Sequence, residues 1–384
     1  MRMKAAVLYE QSKPRPFAAS QPFVIEQVEL DPPGPGELLI EIGGAGLCHS
    51  DLSTVEGLRP RKLPAVGGHE GAGIVRELGP GVTGLAVGDH VVTLFVSSCG
   101  SCRYCAEGRP NLCNASLSAR TAGTLISGER RLRFVGARAG REAGALLHHY
   151  SNLSVYAEYA VVSQSTVVKI DPDVPLDVAA LFGCAVMTGV GAVLNTAQVP
   201  AGGIMAVVGL GGVGMCALLG GVLAGAARLV AVDVNSDKLG MARQLGATDT
   251  VLATEPDAVE QVRALTDGGV DFVIETAGTI KAMQTAYAIS ARGSTTVSVG
   301  LPQPSQLFSF AHSALVSDER TIKGSYMGSC VPKRDIPRFI DLFKRSKLPI
   351  DRLRTGTVGF EGLNEGFDRL ADGAVLRQVL DPKR

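Results

Sequence analysis

The amino-acid sequence predicts an α/β protein in which a mostly β region is joined to a doubly wound parallel sheet. Strand-like and helix-like segments alternate over residues 204–300, which is typical of a parallel sheet covered by helices on both faces. Residues 23–96 instead contain short strands separated by proline and glycine turns, with few helices. The 384 residues are enough for two domains with sizeable cores.

The individual elements follow from local patterns. In the first region the clearest strands are residues 37–42 and 73–78. The second region predicts strands at 204–208, 229–233, around 250–252, at 270–275 and 295–300, and helices at 236–245, 257–266 and 282–291. The C-terminal part predicts helices at 337–346 and 363–371 and a strand at 374–380. No linker, low-complexity stretch or internal repeat separates these parts.

Composition and charge argue against several kinds of partner. The 37 basic and 37 acidic residues cancel, so the sequence predicts neither a nucleic-acid surface nor a polyanion-binding patch. The apolar run after Met1 is too short for a signal peptide, and we expect a cytoplasmic protein. No charged residue occurs over residues 178–227, a length that could hold two membrane helices of about 20 residues. Polar residues and many glycines interrupt that run, so a buried strand and helix explain it better, and no membrane partner is expected.

Four cysteines lie close together in the spacing C-x2-C-x2-C-x7-C, namely Cys99, Cys102, Cys105 and Cys113. Such tight spacing lets four thiolates surround one ion, which gives a closed, structural zinc site. An iron–sulfur cluster is the first alternative, but its usual spacing is lacking. Disulfides are the second alternative, and the absence of a secretory signal disfavours them. Cys216 and Cys330 fall outside this group and are expected to be buried.

A second candidate metal site consists of residues far apart in the sequence, Cys48, His69 and Cys184. Two thiolates and one imidazole give zinc three protein ligands and leave the fourth tetrahedral position open to a substrate. Taken singly, His69 could instead be a hydrogen-bonded interior histidine and Cys184 a small buried apolar residue. The sequence therefore predicts one zinc for chemistry and another that holds a loop.

A glycine-rich turn follows the strand at 204–208 and reads Gly209, Leu210, Gly211, Gly212, Val213, Gly214. Because a strand precedes it and a helix follows, it is typical of a loop that binds a dinucleotide pyrophosphate at a helix N-terminus. Asp233 ends the next strand, 19 residues after Gly214. A carboxylate there accepts the ribose hydroxyls and repels a 2′-phosphate, which favours NAD over NADP. The alternative is that Asp233 only caps the strand end.

These motifs together resemble those of zinc-dependent medium-chain alcohol dehydrogenases, over nearly the whole chain. The resemblance also rests on the segments at 48–51, 67–73, 183–189 and 364–367. It implies a GroES-like catalytic domain formed by residues 1–185, with a zinc lobe at 95–115, and by residues 326–384. A Rossmann domain that binds NAD is expected between them, at residues 186–325. Two zinc ions per chain are implied, one catalytic and one structural.

The resemblance also implies residue roles. Ser50 is expected to accept the alcohol proton, Asp51 to hold the zinc ligand His69, and Glu70 to approach the zinc during ligand exchange. Further coenzyme contacts are expected from His49, Thr188, Lys238, Val299 and Arg377. Phe95, Tyr150 and Leu301 are expected to line the substrate pocket beside Ser50. Zinc lowers the pKa of bound water from about 15.7 to about 7, and an alcohol bound there should respond in the same way.

The predicted activity is reversible oxidation of primary alkyl or aromatic alcohols to aldehydes with NAD. The alternatives are a formaldehyde dehydrogenase that acts on a thiol adduct, and a zinc-free reductase or non-catalytic relative. Arg59, Arg61 and Leu117 stand where relatives that use the glutathione adduct have other residues, which argues against that adduct but leaves another thiol open. Ser53 stands where many relatives have a histidine that completes a proton relay.

Two further expectations concern surfaces. Arg59, Arg61 and Lys62 form a basic loop 11 to 14 residues after Cys48, and such a charge run is most often a solvated surface. If it borders the active site, it should favour substrates with a distal carboxylate. The segment 114–150 is long and rich in arginine and glycine, as in dimeric relatives. We therefore expect a homodimer whose only other partners are small molecules.

Overall fold

The computed structural model describes residues Met1–Arg384 and divides the chain into two compact units. The split unit consists of Met1–Cys184, Val331–Lys344 and Pro349–Arg384, so it is built from both ends of the chain. The inserted unit consists of Ala185–Cys330 and Arg345–Leu348. The boundaries at Cys184 and Cys330 lie one and five residues from the expected domain limits at 185 and 325.

The split unit is mostly β structure. Its strands are β1 Arg2–Leu8, β2 Phe23–Leu30, β3 Glu37–Leu47, β4 Ala65–Val66, β5 Gly71–Leu78, β6 His90–Thr93, β7 Leu132–Phe134, β8 His148–His149, β9 Tyr159–Ser163, β10 Val167–Ile170, β17 Arg354–Val358 and β18 Arg377–Leu380. Its helices are α1 Phe17–Ser20, α2 His49–Val55, α3 Arg103–Ala106, α4 Asn114–Ala122, α5 Leu176–Ala179, α12 Pro332–Lys344 and α13 Leu363–Ala371.

The strands of the split unit form two sheets. One sheet has the order β7-β2-β1-β4-β8, and the other has the order β10-β6-β5-β3-β18-β17 with β9 also paired to β3. Strand β3 is the centre of the second sheet, because it pairs antiparallel with β5, β9 and β18. Most of its apolar side chains are buried in one core cluster, and Leu39 is buried in another. Nine of the eleven residues of β3 are buried, which agrees with the apolar residues from which the sequence predicts this strand.

The inserted unit is a six-stranded parallel sheet with helices. In chain order it contains α6 Ala185–Gly191, β11 Ile204–Val208, α7 Gly212–Ala224, β12 Arg228–Asp233, α8 Ser236–Gln244, β13 Asp249–Leu252, α9 Ala258–Leu265, β14 Val270–Glu275, α10 Ile280–Ala288, β15 Ser290–Ser298, α11 His312–Ser317 and β16 Thr321–Gly324. The strand order is β13-β12-β11-β14-β15-β16, with every pair parallel. The order reverses after β11, as in a doubly wound fold.

Several predicted elements differ in their limits, and three of them show the physical cause. The helix predicted at 282–291 ends at Ala288, because β15 begins at Ser290 and pairs with Val270. The helix predicted from 337 begins at Pro332, so Pro337 lies inside it. A proline is common at the first position of a helix, because it lacks the N–H that the first turn leaves unpaired. The prediction therefore took Pro337 as the first residue, five residues too late. The strand predicted from 374 begins at Arg377. Its pairing with β3 begins at the next residue, Gln378.

No single helix in this structure is long and apolar enough to cross a membrane. One bent pair of helical segments, Leu176–Gly183 followed by Ala185–Ala197, meets that test by length and composition only. The apolar helix α7 has 13 residues, and most of its first ten are buried.

Candidate metal centres and nucleotide-binding loop

The three scattered residues Cys48, His69 and Cys184 converge at one point of the split unit. Cys48 directly follows β3, His69 lies in the turn before β5, and Cys184 ends the 3-10 turn Ala180–Gly183. Because β5 begins opposite Ala45 of β3, the pairing of these strands brings Cys48 and His69 together. One donor atom from each of the three residues and from Glu70 lies within 4.8 Å of the others, and all four residues are buried.

This donor set fits zinc. Thiolate sulfur and imidazole nitrogen are ligands that zinc prefers, and three protein ligands are typical of a catalytic site. A hydrogen bond from Cys184 holds the pKa of Cys48 well below its usual range, with help from the positive charge of Arg377 and against the effect of burial. A buried thiolate beside a second cysteine and a histidine is an arrangement that a divalent cation stabilises.

A chain of hydrogen bonds holds the His69 ring. Its Nδ1 lies 2.8 Å from Oδ1 of Asp51, a buried residue of α2. The Tyr156 hydroxyl lies 3.0 Å from Asp51 Oδ2 and 3.0 Å from the carbonyl oxygen of Gly46. Burial lowers the pKa of His69, but Asp51 and Cys48 raise it well above its usual value. When Nδ1–H donates to Asp51, the lone pair of Nε2 is left to bind a metal.

Glu70 and Arg377 form a buried ion pair next to these residues. Arg377 Nη1 donates to Glu70 Oε1 at 2.9 Å, and the pairing of β18 with β3 brings the two together. Glu70 Oε2 is buried without a hydrogen-bond partner. Burial raises the pKa of Glu70 to about 7, although Arg377 opposes the shift. Residue 46 must be glycine, since a Cβ there would collide with the Glu70 carboxylate. Arg377, expected to contact a coenzyme, is thus engaged by Glu70.

The predicted pocket residues of the split unit lie around His69. The Phe95 ring packs edge-on against the His69 ring with 5.4 Å between centroids, and the Tyr150 ring lies 6.3 Å away. The Tyr150 hydroxyl is 2.7 Å from Thr54 Oγ1, which is itself 3.1 Å from the backbone oxygen of Ser50. These contacts bring Ser50, Phe95 and Tyr150 to one side of the metal ligands. Leu301 belongs to the inserted unit and is 55% exposed.

The basic loop after α2 is only in part the solvated surface that its charges suggested. Arg59 and Arg61 are both half-buried, whereas Lys62 is exposed. Arg59 Nη1 lies 3.4 Å from Ser50 Oγ, and the Arg61 guanidinium lies 5.8 Å from the centre of the Tyr150 ring. The two arginines therefore contact two residues of the predicted pocket.

The sulfur atoms of Cys99, Cys102, Cys105 and Cys113 lie within 4.8 Å of one another. Backbone N–H groups donate to two of them, from Cys102 to Cys99 at 3.3 Å and from Cys99 to Cys113 at 3.4 Å. Such donors from Ser101 and Cys102 lower the pKa of Cys99 to about 6, and burial raises that of Cys105 to about 12. Four convergent sulfurs, with backbone N–H donors that favour the thiolate, fit a closed zinc site. Cys216 and Cys330 are buried elsewhere.

The glycine loop joins β11 to α7 within the inserted unit. Gly209 has a φ of +91°, and a Cβ there would also meet Ala277, so only glycine fits. A Cβ on Gly214 would collide with the carbonyl oxygen of Gly209. A Cβ on Gly211 would meet nothing within 4 Å, so space is open above the start of α7. The first N–H groups of α7, including those of Gly212 and Val213, have no side-chain cap, which fits a bound pyrophosphate.

Asp233 ends β12 and is almost completely buried. Its carboxylate accepts the backbone N–H of Leu210, in the glycine loop, and at 2.9 Å that of Asn235. Each oxygen keeps a further lone pair, so the carboxylate can still accept a ribose hydroxyl. The other expected coenzyme residues lie on different elements. Lys238 is half-buried in the first turn of α8, Thr188 is half-buried in α6, Val299 is buried after β15, and His49 is exposed at the start of α2.

The sequence patterns did not indicate a role for Tyr156, Thr54 or Gln11. Each of them forms a hydrogen bond to a residue of the site, namely Asp51, Tyr150 and the backbone of Arg59 and Arg61 respectively. Tyr156 stands among apolar residues in the sequence. The only indication of its role was that a buried tyrosine hydroxyl needs a hydrogen-bond partner. Gln11 and Thr54 lie among polar residues and gave no such indication.

Two families match most of the chain. Residues 34–172 match the alcohol dehydrogenase GroES-like domain, and residues 212–345 match the zinc-binding dehydrogenase family. A Mycobacterium tuberculosis protein provisionally named alcohol dehydrogenase D is 39% identical over 384 residues, which cover 99% of this chain and 100% of that protein. The NDMA-dependent alcohol dehydrogenase of Amycolatopsis methanolica is 38% identical over 99% of both chains. The crystal structure of benzyl alcohol dehydrogenase from Acinetobacter calcoaceticus matches with a TM-score of 0.88 at 30% identity, over 99% of both chains.

Proposed function

Because the chain belongs to the zinc-dependent medium-chain dehydrogenase family, we propose that it oxidises primary alkyl or aromatic alcohols reversibly to aldehydes, with NAD as the hydride acceptor. The observation that carries this proposal is the buried group formed by Cys48, His69 and Cys184, with Asp51 bonded to His69. Benzyl alcohol dehydrogenase from Acinetobacter calcoaceticus, a structural relative, is named for an aromatic primary alcohol.

Different residues of the chain bind the metal, transfer the proton and orient the metal ligand in this reaction. A zinc ion held by Cys48, His69 and Cys184 would acidify an alcohol at its open position, and the nicotinamide would take up the hydride. Ser50 Oγ accepts the alcohol proton as it passes its own hydroxyl proton on, so the serine stays neutral. Asp51 accepts a hydrogen bond from His69 Nδ1–H, which fixes the orientation of the imidazole ring. With Ser53 in place of a relay histidine, we propose that the proton leaves to water.

Three features of the residues support the substrate class and the coenzyme. Phe95 and Tyr150 offer apolar ring faces beside His69, which suits an alkyl chain or an aromatic ring. Gly211 leaves open space at the start of α7, and the carboxylate of Asp233 would repel the 2′-phosphate of NADP. The name of the Amycolatopsis methanolica relative records a dependence on NDMA, so the electron acceptor has to be tested directly.

Metal content and turnover test the proposal together. We expect two zinc ions per chain in the wild type and one in Cys184→Ala, which should no longer oxidise 1-butanol or benzyl alcohol with NAD. Cys216→Ala is the matched control, because Cys216 is equally buried but outside both cysteine groups, and it should keep both ions and its turnover. Full activity in zinc-depleted Cys184→Ala would overturn the mechanism.

The acceptor is tested with the wild type, using NAD, NADP, or NAD with added NDMA. We expect NAD alone to sustain oxidation and NADP to be much poorer. Turnover that requires NDMA would refute NAD as the sufficient acceptor and leave alcohol oxidation standing. We further propose a cytoplasmic homodimer that binds no partner other than small molecules.

A further inference from the structure

The loop between α2 and β4, residues 56–64, holds two arginines against the candidate active site. Arg59 Nη1 is 3.4 Å from Ser50 Oγ, the group proposed to accept the alcohol proton. The Arg61 guanidinium lies 5.8 Å from the centre of the Tyr150 ring, which in turn packs beside the metal ligand His69. Two positive charges thus lie one side chain away from the place where an alcohol would react.

The arginines are fixed in position by a clamp from another part of the chain. Gln11 Nε2 donates to the backbone oxygens of Thr54 at 2.6 Å and Arg59 at 2.9 Å. Gln11 Oε1 accepts the backbone N–H of Arg61 at 3.4 Å. One side chain therefore ties the loop to α2 through three hydrogen bonds. These hydrogen bonds restrict the motion of the loop, whereas connecting loops at a protein surface are usually mobile.

The charge on Arg61 has no counter-ion in the protein. Its side chain is half-buried and forms no salt bridge, and its Nε is buried without a hydrogen-bond acceptor. A buried charged donor without an acceptor destabilises the folded protein, so such groups are normally paired. Tyr150 contacts the Arg61 guanidinium with both its ring and its hydroxyl, but it carries no charge that could neutralise the cation. An anionic ligand would supply the missing acceptor.

We propose that Arg59 and Arg61 bind a carboxylate at the far end of the alcohol, so that the preferred substrates are hydroxy acids or the matching aldehyde acids. A guanidinium presents parallel N–H donors that match the two oxygens of a carboxylate. Arg59 lies so close to Ser50 that only a few carbon atoms, or one aromatic ring, can separate the hydroxyl from the carboxylate. This inference rests on the proposed alcohol oxidation and narrows its substrate class.

Matched substrate pairs test the inference. The pairs are 4-hydroxybutanoate with 1-butanol, 6-hydroxyhexanoate with 1-hexanol, 8-hydroxyoctanoate with 1-octanol, and 4-(hydroxymethyl)benzoate with benzyl alcohol. For each pair the ratio of kcat/KM for the acid to kcat/KM for the plain alcohol is measured. We expect a ratio above one that peaks at one chain length. Attraction by the general field of the loop would instead give no length optimum and would disappear in salt.

Three single substitutions assign the effect to the two arginines. Arg61→Gln should lower the best ratio at least about tenfold, as loss of a charge-assisted hydrogen bond does, and Arg59→Gln should also lower it. Lys62→Gln is the matched control, since it removes one charge from the same loop at an exposed position, and it should change the ratio less than about twofold. An equal fall in Lys62→Gln, or an unchanged ratio in Arg61→Gln, overturns the inference.

The outcome separates this inference from the proposed function. Oxidation of plain alcohols with ratios near one refutes carboxylate binding and leaves the alcohol dehydrogenase standing. If no alcohol is oxidised, the proposed function fails, and calorimetry with 6-hydroxyhexanoate and 1-hexanol still tests the binding site. Tighter binding of the acid, lost in Arg61→Gln and kept in Lys62→Gln, supports the site. Equal binding of acid and alcohol overturns it. Thermal unfolding of each variant checks that it is folded.

Discussion

At the scale of single residues, the hydroxyl of Tyr156 can be removed without removing its ring. The ring packs against Phe23 at 5.7 Å and Phe367 at 6.3 Å, and Tyr156→Phe preserves that packing. Asp51 Oδ2 then loses its donor, so we expect zinc affinity or kcat/KM to fall about tenfold to a hundredfold. Tyr159→Phe, in β9, is the control and should change neither. Competition with a chelator and alcohol turnover measure both quantities, and equal losses in the two variants would contradict the role of Asp51.

His149 makes the stability of the fold depend on pH. Its Nε2 accepts the N–H of Arg131 at 3.1 Å, which only an unprotonated ring nitrogen can do, so the neutral ring is preferred. Burial lowers its pKa to about 4, with Arg131 and Arg130 adding to the effect, whereas the oxygen of Leu153, 3.4 Å from Nδ1, and Glu37 oppose it. Below pH 6.5 the unfolded chain binds a proton that the folded chain does not, so stability falls as the pH drops towards 4.

We expect this residue to account for a loss of about 2 kcal/mol in the free energy of unfolding between pH 7.5 and pH 5. His149→Gln cannot take up that proton, so its unfolding free energy should fall by about that much less over the same range. His312→Gln, an exposed histidine of α11, is the control and should follow the wild type. Urea unfolding at the two pH values measures the difference. Parallel curves for wild type and His149→Gln would contradict the assignment.

At the scale of elements, the cysteine loop should depend on its metal more than the catalytic site does. Only short elements, α3 and the turn Pro110–Leu112, occur between Cys99 and Cys113, so four sulfur ligands would supply much of the local stability. Cys102→Ala should speed amide exchange and proteolysis within 99–113, whereas Cys48→Ala should leave that loop protected. Glu107→Gln is the control, because Glu107 is an exposed residue of the same loop whose side chain pairs with Arg103. Unchanged protection in Cys102→Ala would argue against a structural metal.

Elements whose pattern is local could be predicted, and those fixed by distant pairing could not. The four-cysteine loop and the glycine loop are contained in short segments, so spacing indicated the first, and spacing together with the adjacent strand and helix indicated the second. The contact of Arg377 with Glu70 depends on the register of β18 on β3, where Gln378 pairs with Leu47. The half-buried state of Arg61 depends on Gln11, 50 residues earlier. Neither long-range contact leaves a mark on the sequence nearby.

At the scale of the whole molecule, we expect two chains to associate. Leu307, Phe310 and Val316 are 87%, 39% and 67% exposed, and they lie near one another in the sequence of the inserted unit. Contiguous exposed apolar patches mark contact surfaces between proteins, and we expect these three residues to form one. Light scattering should give a mass near twice the 39.9 kDa of one chain, and Leu307→Asp with Val316→Asp should lower it. A wild-type mass near four chains would contradict the homodimer.

Asp233 limits how the coenzyme preference of this chain could be re-engineered. Its carboxylate accepts the N–H of Leu210, so it anchors the glycine loop as well as offering an acceptor to a ribose. A change to glycine, made to admit a 2′-phosphate, would release that anchor and weaken binding of either dinucleotide. Asparagine at this position removes the charge and keeps an oxygen for Leu210. A designer who wants NADP should therefore begin from Asp233→Asn and add a cation nearby, treating charge and loop support as two separate variables.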